Sequence, residues 1–157
     1  MLKYVDAKVV FAEVPDEVTL AINISNCPCQ CKGCHSSYLA QDIGERLRYD
    51  NLISLIHKNK GITCVAFMGG DADPLSVNAY ASIIKEQFPN LKVAWYSGRQ
   101  ELSNHIDLYN FDYIKLGSYK EEFGPLNSRT TNQRFYKVSD GKLINITSKF
   151  WKYETEN

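Results

Sequence analysis

The sequence carries no excess of charge of either sign, with 18 lysine and arginine residues against 18 aspartate and glutamate in a chain of 157. That balance removes the clustered cations on which general nucleic-acid binding rests, and it offers nothing to an anionic membrane surface. Nowhere do eighteen apolar residues run together, so no membrane-spanning helix is expected. The opening stretch MLKYVDAKVVFAEV lacks a basic segment followed by an apolar run and lacks a small-residue cleavage site, so it does not read as a secretory signal. Low-complexity tracts and repeats of solenoid period are missing too. Histidine is scarce, at three residues, and neither His57 nor His105 has a partner at metal-ligand spacing. With 44% apolar and 23% charged residues, the chain is long enough for one core and short for two. The expectation is a single domain over residues 1–157, soluble and cytoplasmic, with neither nucleic acid nor membrane as partner.

What the sequence does have is cysteine, concentrated in one place. Four of its five cysteines fall within NCPCQCKGCHSS, at Cys27, Cys29, Cys31 and Cys34. In a reducing compartment clustered thiols are metal ligands more often than disulfide partners, and the odd total points the same way. Thiolate is a soft ligand that suits iron–sulfur clusters, zinc and cuprous copper. A structural zinc site usually draws two ligand pairs from separate knuckles, and no second pair follows downstream, which disfavours zinc without removing it. Cys29 remains open as a spare thiol, a substitute ligand or a redox-sensitive group. Cys64 stands alone in an apolar run and reads as a small hydrophobic core residue.

Around this loop the chain alternates between strand and helix signals. In EVTLAINISN the apolar Val18, Leu20, Ile22 and Ile24 recur at period two, which predicts a strand leading straight into the cysteines. Asp50 is a candidate N-cap for a helix over Asn51 to Lys58 with Leu52, Ile53, Leu55 and Ile56 as its apolar face. Ile62 to Met68 is a continuous apolar run, the pattern of a strand covered on both faces, and it stops at Gly69-Gly70. Ser76 can cap a second helix, Val77 to Phe88, and LKVAWY follows as a strand that ends at Ser97-Gly98-Arg99. A third helix over Glu101 to Tyr109 and a strand over Tyr113 to Leu116 complete the alternation. A polar, turn-rich stretch then leads to a hairpin of Arg134 to Val138 and Lys142 to Ile146. The fold class expected is α/β with a mostly parallel sheet and a C-terminal β-hairpin. Such sheets gather their ligand sites at the carboxyl ends of the strands. The cysteine loop, Gly69-Gly70-Asp71, Ser97-Gly98-Arg99 and Gly117-Ser118 all fall there, so one rim is the expected site.

Cys27, Cys31 and Cys34 form CxxxCxxC, which resembles the signature of the radical S-adenosylmethionine superfamily. The resemblance implies a truncated, partial (βα) barrel and a 4Fe–4S cluster whose three thiolates leave one iron open for S-adenosylmethionine. It also implies that one electron splits the sulfonium and that the deoxyadenosyl radical released abstracts hydrogen from a substrate. Gly69-Gly70-Asp71 is similar to the superfamily's Gly-Gly-acid motif for the ligand's amino group; as bare sequence it is also common turn chemistry. The short length, CKGCH, VAFMGGDADP, VAWYSGR and Asn132-Gln133-Arg134 together resemble the anaerobic ribonucleoside-triphosphate reductase activating proteins, over most of the chain to Val138. That family places a radical on a glycine of its partner reductase. By position, Cys27, Cys31 and Cys34 would hold the cluster, and Gly33, His35, Gly69, Gly70, Asp71 and Ser97 would border S-adenosylmethionine. His35 would either stack on adenine or serve as an ordinary loop residue. The reductase would be the protein substrate, and a flavodoxin-like or similar low-potential protein the electron donor. A pyruvate formate-lyase-type partner and a four-thiolate zinc or redox-sensing module are the alternatives.

Overall fold

The computed structural model describes residues 1–25 and 42–156, with backbone alone for 152–156. Cys27, Cys29, Cys31, Gly33, Cys34 and His35 lie outside the described residues. Eight strands form one open sheet: β1 (Lys3–Val10), β2 (Thr19–Ile24), β3 (Glu45–Arg46), β4 (Cys64–Met68), β5 (Lys92–Tyr96), β6 (Tyr113–Leu116), β7 (Arg134–Ser139) and β8 (Lys142–Asn145), in the order β3-β1-β2-β4-β5-β6-β7-β8. The middle is parallel, with β2, β4, β5 and β6 side by side in chain order. The outer pairs are antiparallel. The α/β class, the parallel centre and the closing hairpin agree with the sequence; the sheet is mixed at both flanks and is not closed.

Period two decides which residue meets which layer. Leu20, Ile22 and Ile24 of β2, Val65 and Phe67 of β4, Val93 and Trp95 of β5, and Ile114 and Leu116 of β6 belong to one buried cluster with the two helices. These are α1 (Tyr49–Lys58), which contributes Leu52 and Ile56, and α2 (Pro74–Gln87), which contributes Val77, Ala81 and Ile84. The intervening residues face the other side, where Ala21, Ala66 and Ala94 stand opposite one another across three strands. Part of this face makes a second, smaller cluster with Val14, Cys64, Tyr113 and Phe135, against which Leu126, Ile146 and Phe150 pack. Cys64 is fully buried, as the sequence suggested, and burial first, then the Glu17 carboxylate, push its thiol up to about 12.

Three expectations change. The strand β1 had no alternating signal strong enough to find, yet it pairs along nearly its whole length with β2 and is kinked by a bulge between Tyr4 and Asp6. Each helix begins earlier than expected. Arg48, not Asp50, precedes α1, with the Arg48 N–H donating to Asn51 Oδ1 at 3.0 Å. Asp73, not Ser76, caps α2; its carboxylate accepts from the Ser76 N–H at 3.2 Å and hydroxyl at 2.6 Å, while Pro74 occupies the first turn. The third helix is not formed, and only a 3-10 turn, Leu108–Asn110, lies between β5 and β6. Short polar side chains capture the backbone there. Ser103 Oγ accepts from the His105 N–H at 3.2 Å, Asp107 Oδ1 from the Tyr109 N–H at 3.0 Å, and Asn78 Oδ1 of α2 from the Asp107 N–H at 2.8 Å. Those bonds compete with helical ones. After β8 the chain ends in a 3-10 segment, Thr147–Glu156.

Candidate functional site

The carboxyl ends of β2, β4, β5 and β6 open along one rim, and hydrogen bonds join the ends of β4, β5 and β6 into a continuous line. The Gly69 N–H donates to Tyr96 O at 3.0 Å, the Ser97 N–H to Lys115 O at 2.9 Å, and the Gly117 N–H to Arg99 O at 2.7 Å. The line continues to the Asn132-Gln133-Arg134 segment, where Asn132 Nδ2 donates to Ser118 O at 3.0 Å. Of the residues the sequence singled out, Gly69, Gly70, Asp71 and Ser97 therefore come together on one rim, as do Arg99, Gly117 and Ser118.

At the β4 end both glycines have backbone angles that side chains resist, with φ of +110° at Gly69 and +103° at Gly70. A Cβ at Gly70 would stand 2.6 Å from Val77 Cγ2 of α2, so the bare backbone is what lets the turn seat on the helix. Gly69 O accepts from the buried Trp95 indole Nε1 at 2.7 Å, which anchors the turn from beneath. Asp71 is only 6% exposed. Its Oδ1 accepts from Ser97 Oγ at 2.6 Å and its Oδ2 from the Gly98 N–H at 2.8 Å, while Ser97 Oγ accepts in turn from the Arg99 N–H at 3.1 Å. The acid and the hydroxyl, read from sequence as separate ligand contacts, are thus bonded to each other.

At the β6 end the chain buries a lysine that sequence reasoning passed over. Lys115 is 7% exposed, with Nζ donating to Gly117 O at 2.8 Å and Gln133 Oε1 at 3.0 Å and lying 5.4 Å from the centre of the Tyr96 ring. The available signal was a single cation inside the run YIKL. The ring of Tyr96 meets Phe135 edge-on, and its hydroxyl donates to Glu13 O, tying the 11–17 segment across this face. Burial raises its phenol well above the ordinary range. Arg134 Nη1 donates to Thr131 O at 2.7 Å and Gln133 O at 2.8 Å, which fastens its own segment. Asn132 Oδ1 is buried and accepts no hydrogen bond among the described residues.

At the β2 end Ser25, 3% exposed, donates from Oγ to Ile43 O at 2.5 Å, and its N–H donates to Lys3 O at 2.9 Å. The chain therefore leaves the rim at Ser25 and returns to it at Ile43, with Lys3 Nζ and Asp42 Oδ1 paired at 3.0 Å alongside. A cavity of about 100 Å³ opens here, lined in part by Leu2, Ile24, Ser25, Asp42, Gly70 and Ala72. That volume holds a few waters and lies below the ~300 Å³ usual for a nucleoside-sized ligand. Among the described residues no three His, Cys, Asp or Glu side chains gather as for a metal ion, and no helix is long and apolar enough to cross a membrane. His57 is exposed on α1, its ring edge-on to Phe88, and His105 is exposed in the irregular stretch before β6. Comparison with models of protein families, with curated proteins and with solved structures finds no match to this chain.

Proposed function

We propose that the chain is a radical S-adenosylmethionine activase, built as a truncated (βα) barrel, that places a glycyl radical on an anaerobic ribonucleoside-triphosphate reductase. The observation that carries this reading is the rim itself. Ser25 and Ile43, the residues flanking the CxxxCxxC stretch, are bonded together at the same end of the sheet as Gly69-Gly70-Asp71 and Ser97. On this reading Cys27, Cys31 and Cys34 hold a 4Fe–4S cluster, and Gly33, His35 and the β4 and β5 ends border S-adenosylmethionine. The donor set at the rim suits such a ligand. It combines backbone groups of glycine turns, a carboxylate and a hydroxyl at the ends of parallel strands about 4.8 Å apart with the Asn132 Oδ1 acceptor just before the antiparallel β7. When bound, the cluster supplies one electron to the sulfonium, giving methionine and a deoxyadenosyl radical that takes a hydrogen atom from the substrate glycine.

The chain's own residues bind and orient. Trp95 and Val77 fix the glycine turn, Lys115 and Gln133 hold the β6 end against the Asn132 segment, and Tyr96 keeps the 11–17 segment over the face below the rim. The open sheet leaves room for a protein substrate, and a flavodoxin-like donor would supply the electron. The deciding experiment is electron paramagnetic resonance of the anaerobically reconstituted, dithionite-reduced protein, with and without S-adenosylmethionine, then with the cognate reductase. Support is a reduced four-iron signal that shifts on adding the ligand, followed by a glycyl doublet on the reductase. Transfer to a pyruvate formate-lyase-type enzyme alone would change the partner. One zinc per chain with neither iron nor sulfide would overturn the reading.

A further inference from the structure

We infer that residues 11–17 are a strap that opens as a unit, apart from the rest of the fold, and so governs access to the face of the sheet that neither helix covers. β1 and β2 pair as far as Val10 and Thr19, where a tight turn of about two to five residues would join them. The chain instead runs from Phe11 to Val18 across that face, and it is poorly held for its length. Phe11 is 73% exposed, Ala12 and Asp16 are exposed, and Glu13 and Pro15 are half-buried. Val14 is the one apolar side chain of the strap that is fully buried, in a cluster with Cys64, Ala66, Ala94, Tyr113 and Phe135. Among the described residues, two hydrogen bonds tie the stretch from Phe11 to Asp16 to the rest of the molecule. The Tyr96 hydroxyl donates to Glu13 O, and Lys149 Nζ donates to Asp16 Oδ2 at 3.3 Å on the surface. An exposed ion pair of the second kind holds little. Few buried apolar contacts and few backbone hydrogen bonds mark a segment that opens without global unfolding.

The far end of the strap is fixed. Past Asp16, whose φ of +66° turns the backbone through the left-handed region, Glu17 accepts from the Thr63 and Tyr113 hydroxyls, and the Val18 N–H donates to Thr63 Oγ1 at 2.9 Å. Opening therefore breaks the Tyr96 bond and the surface pair and lifts Val14, while the Glu17 knot and the parallel strands stay in place. What it uncovers is Cys64, which shares Val14's cluster and is fully buried while the strap is closed. Burial there pushes the thiol up to about 12. A thiol reagent attacks the thiolate, so it meets a reactive Cys64 only after opening, and this cysteine reports on the strap.

The test is alkylation of Cys64 by iodoacetamide in the whole protein, read by mass spectrometry on the peptide that carries it, with urea unfolding of the same variants. Labelling is expected to run faster than global unfolding allows and to stay nearly constant in urea below the unfolding transition, because little surface is exposed on opening. Tyr96→Phe should speed it about fivefold, the equivalent of one hydrogen bond, and Val14→Ala at least about tenfold. Ile84→Val, which thins the buried packing of α2 on the opposite face, should lower global stability and leave the labelling rate as it was. Three results would each overturn the inference: labelling that climbs with urea as steeply as global unfolding, acceleration by Ile84→Val in proportion to its loss of stability, or no acceleration by Tyr96→Phe. Should Val14→Ala not fold, Tyr96→Phe and Ile84→Val still give the opposite results required. None of these measurements involves S-adenosylmethionine, so the strap stands or falls separately from the proposed function.

Discussion

The two ends of the parallel strands are each tied by one buried carboxylate, and the ties are built differently. At the amino ends Glu17, 8% exposed, accepts from the Thr63 hydroxyl and the Tyr113 hydroxyl, both at 2.7 Å, with Lys92 Nζ at 3.4 Å. Its partners are side chains standing before β4 and on β5 and β6, and Val14, Cys64 and Phe135 form the apolar cluster beside them. At the carboxyl ends Asp71 is tied to a hydroxyl and a backbone N–H of the β5 end, and it follows a turn that needs glycine at Gly69 and Gly70. Side chains closing over an apolar floor make an end that is finished. Backbone groups held in glycine turns make an end that still presents polar atoms outward, and ligand sites in α/β sheets are built there.

Substitutions at the two ends should separate these roles. The largest effect is expected from Gly70→Ala, where a positive φ adds strain of ~1–2 kcal/mol and the new methyl collides with Val77, an overpacking cost of ~1–3 kcal/mol. Urea unfolding should show a loss of about 3.5 kcal/mol, the middle of those summed costs. Adding Val77→Ala should relieve the collision and leave the double variant less destabilised than the sum of the two single changes. Simple additivity would mean that the glycine is not there to seat α2.

Glu17→Gln comes next. One of its two hydroxyl donors then loses a charged acceptor, and the expected cost is about 2 kcal/mol, with ligand binding at the far rim unchanged. A parallel loss of binding would show that the two ends are coupled and would dissolve the distinction. The pH profile sharpens it further. Burial first, then the hydrogen bond that its hydroxyl donates to Glu17, raise the Tyr113 phenol, and Cys64 is raised as well. In the unfolded chain these groups ionise near their ordinary values of 9.0 for the thiol and 10.0 for the phenol, whereas the folded protein keeps its protons. Above those values the unfolded state binds fewer protons than the folded one, so stability falls as pH rises. Urea midpoints should be flat from pH 7 to about 8.5 and decline beyond, a range set by those unfolded values. The decline should be shallower in Cys64→Ala with Tyr113→Phe; an unchanged alkaline slope would place its origin elsewhere. The smallest effect is expected for Tyr96→Phe, which frees Glu13 O at a cost of about 1 kcal/mol and should speed amide exchange in residues 11–17 before any other segment.

Much of the architecture was legible because it follows from periodicity. The alternation Leu20, Ile22, Ile24 and the unbroken run through Phe67 identify strands buried on one face or both, and the glycine and serine punctuation marks their ends. What stayed hidden needed partners distant in sequence. β1 is a strand because β2 offers it an edge, and β3 is a two-residue strand that pairs with Lys3 and Tyr4 of β1. The third helix, expected over Glu101 to Tyr109, is absent because Ser103 and Asp107 compete for backbone donors there, which a pattern of apolar positions does not register. At the site, the positions of Gly69, Gly70, Asp71 and Ser97 were foreseen. The bond between Asp71 and Ser97 was not, since a spacing of 26 residues carries no local signal. Lys115 was missed for a like reason, and the burial of Asn132 inside the singled-out Asn132-Gln133-Arg134 segment was not foreseen, as burial of a polar group is decided by what packs over it.

The bond from Ser25 to Ile43 has an entropic consequence. A chain that must bring two points together across about 18 residues gives up roughly (3/2)RT ln 18, near 2.5 kcal/mol, in freedom of the segment between them. Here that loss is met when the protein folds, through the Ser25 hydroxyl, the pairing of β1 with β3 and the Leu47 N–H to Leu2 O bond of 2.8 Å. Whatever the intervening cysteines bind, their binding has no need to supply the closure. Per unit of ligand affinity the difference approaches two powers of ten, obtained without any contact to the ligand itself.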